Sequence, residues 1–320
     1  APSDDIDPAE LLFILNTTPQ YANGRAIPLV VAITGHRDLV PAEVPEIQER
    51  IAKLFGDLQR NNVDRRLQLM SALAEGADQL AAEVALELNV ELVVTLPMEK
   101  GIYRNDFASA DAKLRFDGLL ERAISVHELP IARGNTAEGI RDAGPERARQ
   151  YAQLGVFLCA HCHILLALWD GKQTDDLGGT GQVVKFHHDD IMPGYTSKSA
   201  ATQQMLVDDE SDLVYHIVCS RDRPDGAPEP GLAPLDCSWF TNDRDTPRSG
   251  DLPKQHRLIF QRSGEFSRDA IAHAEAIEAE KYPLYTAEQT AELPPGVENI
   301  NRLFCIADWL AIRYQKKVLL

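Results

Sequence analysis

Apolar and polar positions fall into alternating blocks along the first two thirds of the chain. Residues 29–34, LVVAIT, form a near-continuous apolar run, which predicts a strand buried on both faces. Residues 42–60 carry Ile47, Ile51, Leu54 and Leu58 at helical spacing. Residues 76–89 do the same, with Ala77, Leu80, Ala81, Val84 and Leu88 opposite Asp78, Gln79, Glu83 and Glu87. Short apolar runs at 67–70, 91–96, 124–129 and 163–169 predict further strands, and helical patterns at 105–123, 146–160 and 181–187 alternate with them. Strands alternating with helices imply right-handed βαβ units and a parallel sheet covered on both faces. The expected fold class is therefore α/β: a Rossmann-like parallel sheet with helices on both faces, plus a C-terminal helical extension.

Residues 1–28 read as an N-terminal leader with a short apolar segment at 11–15, and residues 29–220 as the Rossmann-like domain. Beyond it RDRPDGAPEPGLAPLD is rich in Pro and Gly and NDRDTPRSGDLP is polar, so 221–262 reads as an insert or linker. Helical patterns around 265–281 and 297–318 make 263–320 a set of C-terminal helices. The final KKVLL reads either as an amphipathic helix that ends there or as a cut before a membrane or effector segment.

Charge narrows the partners. The 320 residues carry a formal net charge of −17. Such a surface repels polyphosphate backbones, so the expectation is no nucleic-acid polymer, and a small anionic ligand only in a locally positive pocket. Five cysteines at irregular spacing suit a reducing compartment. A cytoplasmic location is expected, including as the cytosolic domain of a membrane protein, and so is a homo-oligomeric state.

In open parallel sheets ligands bind beyond the carboxyl ends of the strands, where strand order reverses. After the first strand stand Gly35, His36 and Arg37: a tight turn and two donors for a phosphate or carboxylate, unless Arg37 pairs with Asp38 or another acid. After the second stand Ser71 and then Glu75, Gly76, Ala77 and Asp78, where small residues expose N–H groups at a helix start. Asp78 could instead complement the helix dipole and bind nothing. After the run ending at Trp169 come Asp170, Gly171 and the turn Gly178, Gly179, Thr180, Gly181, whose backbone could wrap an oxyanion. Trp169 is placed to stack on a base. Neither the dinucleotide fingerprint nor a P-loop is present. Three strand ends far apart in sequence carry glycine plus donors, and a parallel sheet gathers such ends.

Other clusters carry less. Cys159 and Cys162 form one C-x2-C pair without a second pair at a plausible spacing, which favours buried structural cysteines. His187, His188, Asp189 and Asp190 more simply cap a helix or face solvent, so no metal is expected, and no cofactor. Glu99, Asp106 and Asp111 are candidate general acids in a chain rich in acids.

AITGHRDL, SALAEGADQLAAEVALELNVELVVTLP, YRNDF and HILLALWDGKQTDDLGGTGQVV, in that order over about residues 29–185, resemble the SLOG superfamily. Its relatives include the LOG phosphoribohydrolases, DprA and the nucleotide-sensing domain of TRPM channels. The resemblance implies a Rossmann-like sheet that binds nucleotides or NAD-derived nucleotides. Its binding loops would be Gly35 to Arg37, Ser71 with Glu75 to Asp78, and Asp170 and Gly171 with Gly178 to Gly181. LOG enzymes carry Pro-Gly-Gly-x-Gly-Thr-x-x-Glu, the glutamate working at the glycosidic bond, whereas LGGTGQVV here has no glutamate in that turn. The expected function is thus a nucleotide sensor or regulatory domain of the bacterial signalling or defence type, for a phosphorylated, NAD-derived or cyclic nucleotide. Phosphates would cross the helix starts at Gly76 and Gly181, charge would come from His36 and Arg37, and Glu75 or Asp170 would hold ribose hydroxyls. One alternative is a nucleotide N-glycosidase or phosphoribohydrolase using Glu75 or Glu99. The other is a protein-interaction scaffold with a vestigial cleft.

Overall fold

The computed structural model describes residues 26–174, 176–189, 191–192, 212–243, 247–286, 288–289, 293 and 295–318. They fall into two compact units, Leu29–Asn61 with Leu67–Arg257, and the described residues before Leu29 with Asn62–Arg66 and Leu258–Leu320.

The first unit is built on β1 (Leu29–Gly35), β2 (Leu67–Ser71), β3 (Glu91–Leu96), β4 (Ser125–Glu128), β5 (Ile164–Trp169), β6 (Val214–Val218) and β7 (Cys237–Phe240). They form a seven-stranded sheet in the order β4-β3-β2-β1-β5-β6-β7. Every neighbouring pair is parallel except β6 with β7. Helices α1 (Val44–Asn61), α2 (Ala77–Glu87), α3 (Lys100–Tyr103), α4 (Ala110–Arg122), α5 (Pro145–Ala160) and α6 (Thr180–Asp189) alternate with the strands. This is a Rossmann-like α/β fold.

Burial explains the pattern. β5 is buried at all six positions and β1 at all but Gly35, as continuous apolar runs require when helices cover both faces. β4, at the sheet edge, leaves Val126 and Glu128 exposed. α1 buries Ile47, Ile51, Leu54, Phe55 and Leu58. α2 departs from its amphipathic reading, because Asp78 and Gln79 are buried beside its alanines. The Gln79 amide donates to the carbonyls of Leu73 and Ala112, which satisfies it inside the protein.

Two boundaries are corrected and one strand is added. The helix expected from residue 105 starts at Ala110, because Phe107 is extended and Ser109 Oγ caps the Ala112 N–H at 3.0 Å. The apolar run VYHIV forms β6, where His216 is buried between the Trp169 carbonyl and Arg248. The segment 221–262, expected as an insert or linker, instead supplies the antiparallel β7 and the start of α7 (Lys254–Ala272). Its Trp239 and Phe240 are buried, and that burial is what holds a short four-residue strand.

In the second unit α7 continues from Leu258, stops at His273, and is followed by α8 (Ala274–Glu280) and α9 (Pro295–Val318). Ala270, Ile277, Ile306 and Leu310 form its buried cluster, with Phe266 and Trp309 packed against it. Arg268 pairs with Asp64 at 2.8 Å. No helix of the described residues is long and apolar enough to cross a membrane. The apolar segment at 11–15, Asp190, and the two residues after Val318 lie outside the described residues.

Candidate functional site

Strand order reverses between β1 and β5, so the crevice of this sheet opens where Gly35 and Trp169 end their strands. A cavity of about 560 Å³ lies there. Of the sequence-expected residues, Gly35, His36, Arg37, Asp78, Gly178, Gly179, Thr180 and Gly181 line it; Tyr103, Tyr151, Lys172, Asp176 and Arg221 join them.

Arg37 is exposed, its Nη2 3.5 Å from the Tyr151 hydroxyl and its guanidinium 5.7 Å from that ring's centre. No carboxylate of the described residues forms an ion pair with it. Asp38, the nearest candidate in sequence, is held instead by Arg221 Nε at 2.9 and 3.1 Å. Across the cavity the glycine turn enters α6. Gly179 N–H donates to the Asp176 carbonyl and Gly178 N–H to Gln182 Oε1, both at 2.9 Å. The N–H groups of Thr180 and Gly181 meet no acceptor among the described residues, as expected for the open first turn of a helix. Gly181 must be glycine, because a Cβ there would stand 2.9 Å from the Lys172 carbonyl.

Several expected ligand contacts are spent on the protein itself. His36 turns toward β5, its Nε2 3.1 Å from both the N–H and Oδ1 of Asp170. Burial pushes its pKa down, favouring the neutral ring that accepts from that N–H. Asp170 is 2% exposed, its Oδ1 takes the Lys172 N–H, and it is not on the cavity wall. Trp169 is equally buried, with its indole N–H given to the Lys172 carbonyl, so it offers no face to a base. Both residues close the turn that presents Lys172. Gly171 packs toward Leu232 and is not on the cavity wall.

The start of α2 is also filled. Ala77 N–H donates to the His36 carbonyl at 3.1 Å, and Gly76 (φ 85°) lies so close beneath Arg37 that an added Cβ would sit 2.4 Å from the Arg37 oxygen. Neither Gly76 nor Ala77 lines the cavity. Glu75 accepts from Ala108 N–H at 3.3 Å and lies off the cavity, as does Glu99. Ser71 is buried, its Oγ accepting from Leu73 N–H and donating to Asp78 Oδ2 at 3.3 Å. Of the acids the sequence singled out, Asp78 does line the cavity, together with Asp38 and Asp176. Burial pushes the Asp78 pKa up to about 7, against the pull of the Ala74 amide and Arg37.

Sequence reasoning missed Tyr103 and Tyr151. Tyr151 hydrogen-bonds Asp106, which Arg147 Nη2 also holds at 2.6 Å, so this acid is tied down by its neighbours. YRNDF contained the signal for Tyr103 and Asp106, but Tyr151 sits mid-helix in α5 with nothing local to mark it. All five cysteines are free, and burial pushes the Cys162 thiol up to about 12, out of reach of thiolate chemistry at neutral pH.

No family model matches the sequence, and no curated protein does. Among solved structures the chain is similar to DNA processing protein A of Helicobacter pylori. That match is 14% identical, with a TM-score of 0.34, over 63% of this chain and 85% of the other. It is similar also to DNA processing protein A of Streptococcus pneumoniae, 13% identical with a TM-score of 0.28, over 44% of this chain and only 41% of that one. The likeness is one of fold. The Helicobacter protein is described by its mode of binding single-stranded DNA, and the exclusion of nucleic-acid polymers read from net charge is withdrawn. A charge of −17 is a sum over the whole chain, whereas the cleft sets Arg37, Lys172 and Arg221 against Asp38, Asp78 and Asp176, with Arg221 paired to Asp38. Local potential, not the total, decides what enters a cleft.

Proposed function

We propose that the cleft between the ends of β1 and β5 binds a phosphorylated nucleotide, and that the chain acts as a nucleotide-recognising regulatory domain. One observation carries this reading: among the described residues Arg37 has no carboxylate partner, and it lines the same cavity as the Thr180 and Gly181 N–H groups opening α6, which meet no acceptor there. Charge-assisted hydrogen bonds and a helix start are together a strong anion site. The cavity volume falls in the range of small-molecule sites.

A second reading, cleavage of an N-glycosidic bond, is favoured by Asp78, whose near-neutral carboxyl lines the cleft where Glu75 and Glu99 do not. Aligned on its glycines, the LOG motif sets its glutamate at Lys185 and its threonine at Gln182, whose Oε1 is engaged by Gly178 N–H.

Calorimetry with AMP, ADP, ADP-ribose, NAD, cyclic di- and trinucleotides and a short single-stranded oligonucleotide separates these readings, with mass spectrometry of the same samples. Saturable binding of an intact nucleotide is expected, and Arg37→Ala is expected to weaken it by about 1.5–3 kcal/mol. Equal affinity in Arg37→Ala overturns the site. Release of a free base moves the conclusion to the hydrolase, and silence toward every mononucleotide overturns the nucleotide reading.

A further inference from the structure

Tyr103 ends α3 and is fully closed off from solvent. Its ring stands edge-to-face on Phe107 and Phe116, with centroids 5.3 and 5.8 Å away, which fixes where the hydroxyl points. That hydroxyl is buried and has no hydrogen-bond partner among the described residues, yet Tyr103 lines the cavity. A phenylalanine would fill the same aromatic cluster without the cost of an orphaned buried donor. The hydroxyl therefore calls for an explanation beyond packing.

Its charged surroundings are Arg37, Asp78, Asp106 and Arg147. Asp106 and Arg147 satisfy one another, and Arg37 leans on Tyr151. Asp78 is left, 5% exposed and lining the same cavity; it accepts from Ser71 Oγ at 3.3 Å and from the Ala74 and Ala72 amides, which leaves a carboxyl with room for one further donor. A donor without an acceptor, beside a carboxyl that can still accept, complements a neutral group that does both. A phosphate dianion does not fit that description, since it has no proton to offer and meets the ionised form of the carboxyl with like charge.

We propose, resting on the nucleotide reading above, that Tyr103 and Asp78 form a second subsite of the cleft, which takes a neutral hydroxyl or base-edge group of the ligand. Tyr103 donates to it and Asp78 accepts from it, while Arg37 and the start of α6 hold the phosphate. The subsite distinguishes a nucleotide from a bare phosphate ester.

Tyr103→Phe tests this by calorimetry with three probes: AMP, ribose 5-phosphate and inorganic phosphate. The variant is expected to lose about tenfold in affinity for AMP, the size of one lost hydrogen bond, and nothing for inorganic phosphate. An equal loss for AMP and ribose 5-phosphate assigns the group to the sugar, and a loss for AMP alone assigns it to the base; either supports the subsite. Thermal melting of Tyr103→Phe is expected to be unchanged or higher than the parent's. Earlier melting would mean that the hydroxyl has a protein partner, and overturns the proposal. If the parent binds AMP and Tyr103→Phe binds it equally well, the subsite falls while the nucleotide reading stands. If the parent binds neither AMP nor ribose 5-phosphate, both fall together.

Discussion

Gly76→Ala is expected to destabilise the sheet unit by about 2–5 kcal/mol, the sum of a backbone term of about 1–2 for a side chain at positive φ and an overpacking term of about 1–3. Gly76 has φ 85° and ψ −119°, and an added Cβ would lie 2.4 Å from the Arg37 oxygen and 2.7 Å from its Cα. Both obstacles are backbone, so no rotamer relieves them. The loop after β1 has to move, and it carries Arg37. Gly134 provides the control, because its φ is also positive, at 84°, but nothing lies within 4 Å of its Cβ position. Urea midpoints of the two alanine variants separate the terms: Gly134→Ala is expected to cost only about 1 kcal/mol. Equal midpoints would show that the close approach of α2 to the Arg37 backbone is wrong.

The second large effect is one of pH. Folded, the Asp78 carboxyl keeps its proton up to about pH 7; unfolded, it keeps it only to about 3.8. Between those values the folded state binds more protons than the unfolded one. The stability due to Asp78 is therefore complete below about pH 4, falls as pH rises through about 7, and is flat above it. A shift of this size corresponds at most to about 4 kcal/mol. Asp78→Asn does not titrate, so it is expected to gain on the parent as pH rises from about 5 to about 7 and to hold a constant lead above that. Urea unfolding of both proteins across this range reads the gap directly, free of the other carboxylates they share. A gap that does not change with pH would mean the carboxyl is ionised at the start of α2 like an ordinary dipole-complementing aspartate.

The alternation of β and α was legible because burial on both faces leaves an unmistakable mark: LVVAIT and HILLALW admit few readings besides covered strands. That the ends of β1 and β5 meet at one crevice followed from this alternation and from the right-handed crossover rule. What each residue at those ends does was not legible. His36, Trp169 and Asp170 are polar or aromatic residues at a strand terminus, and sequence does not say whether such a side chain turns inward to a neighbouring strand or outward to a ligand. Here all three turn inward, and Lys172, two residues further on, is carried to the cavity by the turn they close. Asp78 and Gln79 misled for a related reason. The pattern sets both opposite the apolar stripe of their helix, with Asp78 a ligand contact or a dipole partner, while the tight loop after β2 buries them and satisfies them with backbone groups and with Ser71. Tyr103 and Tyr151 meet Arg37 only through tertiary packing, so no spacing along the chain announces them.

The contact of His36 with Asp170 has a consequence for how the crevice admits anything. It stitches the ends of β1 and β5 together directly behind the cavity, at 3.1 Å and out of solvent. The gauge of the slot is thereby set during folding, and the ordering cost is met before a guest arrives. Capture then resembles a key entering a rigid lock more than a hand closing. The glycine turn ahead of α6 lies outside that clasp, so movement there leaves the seam between β1 and β5 intact.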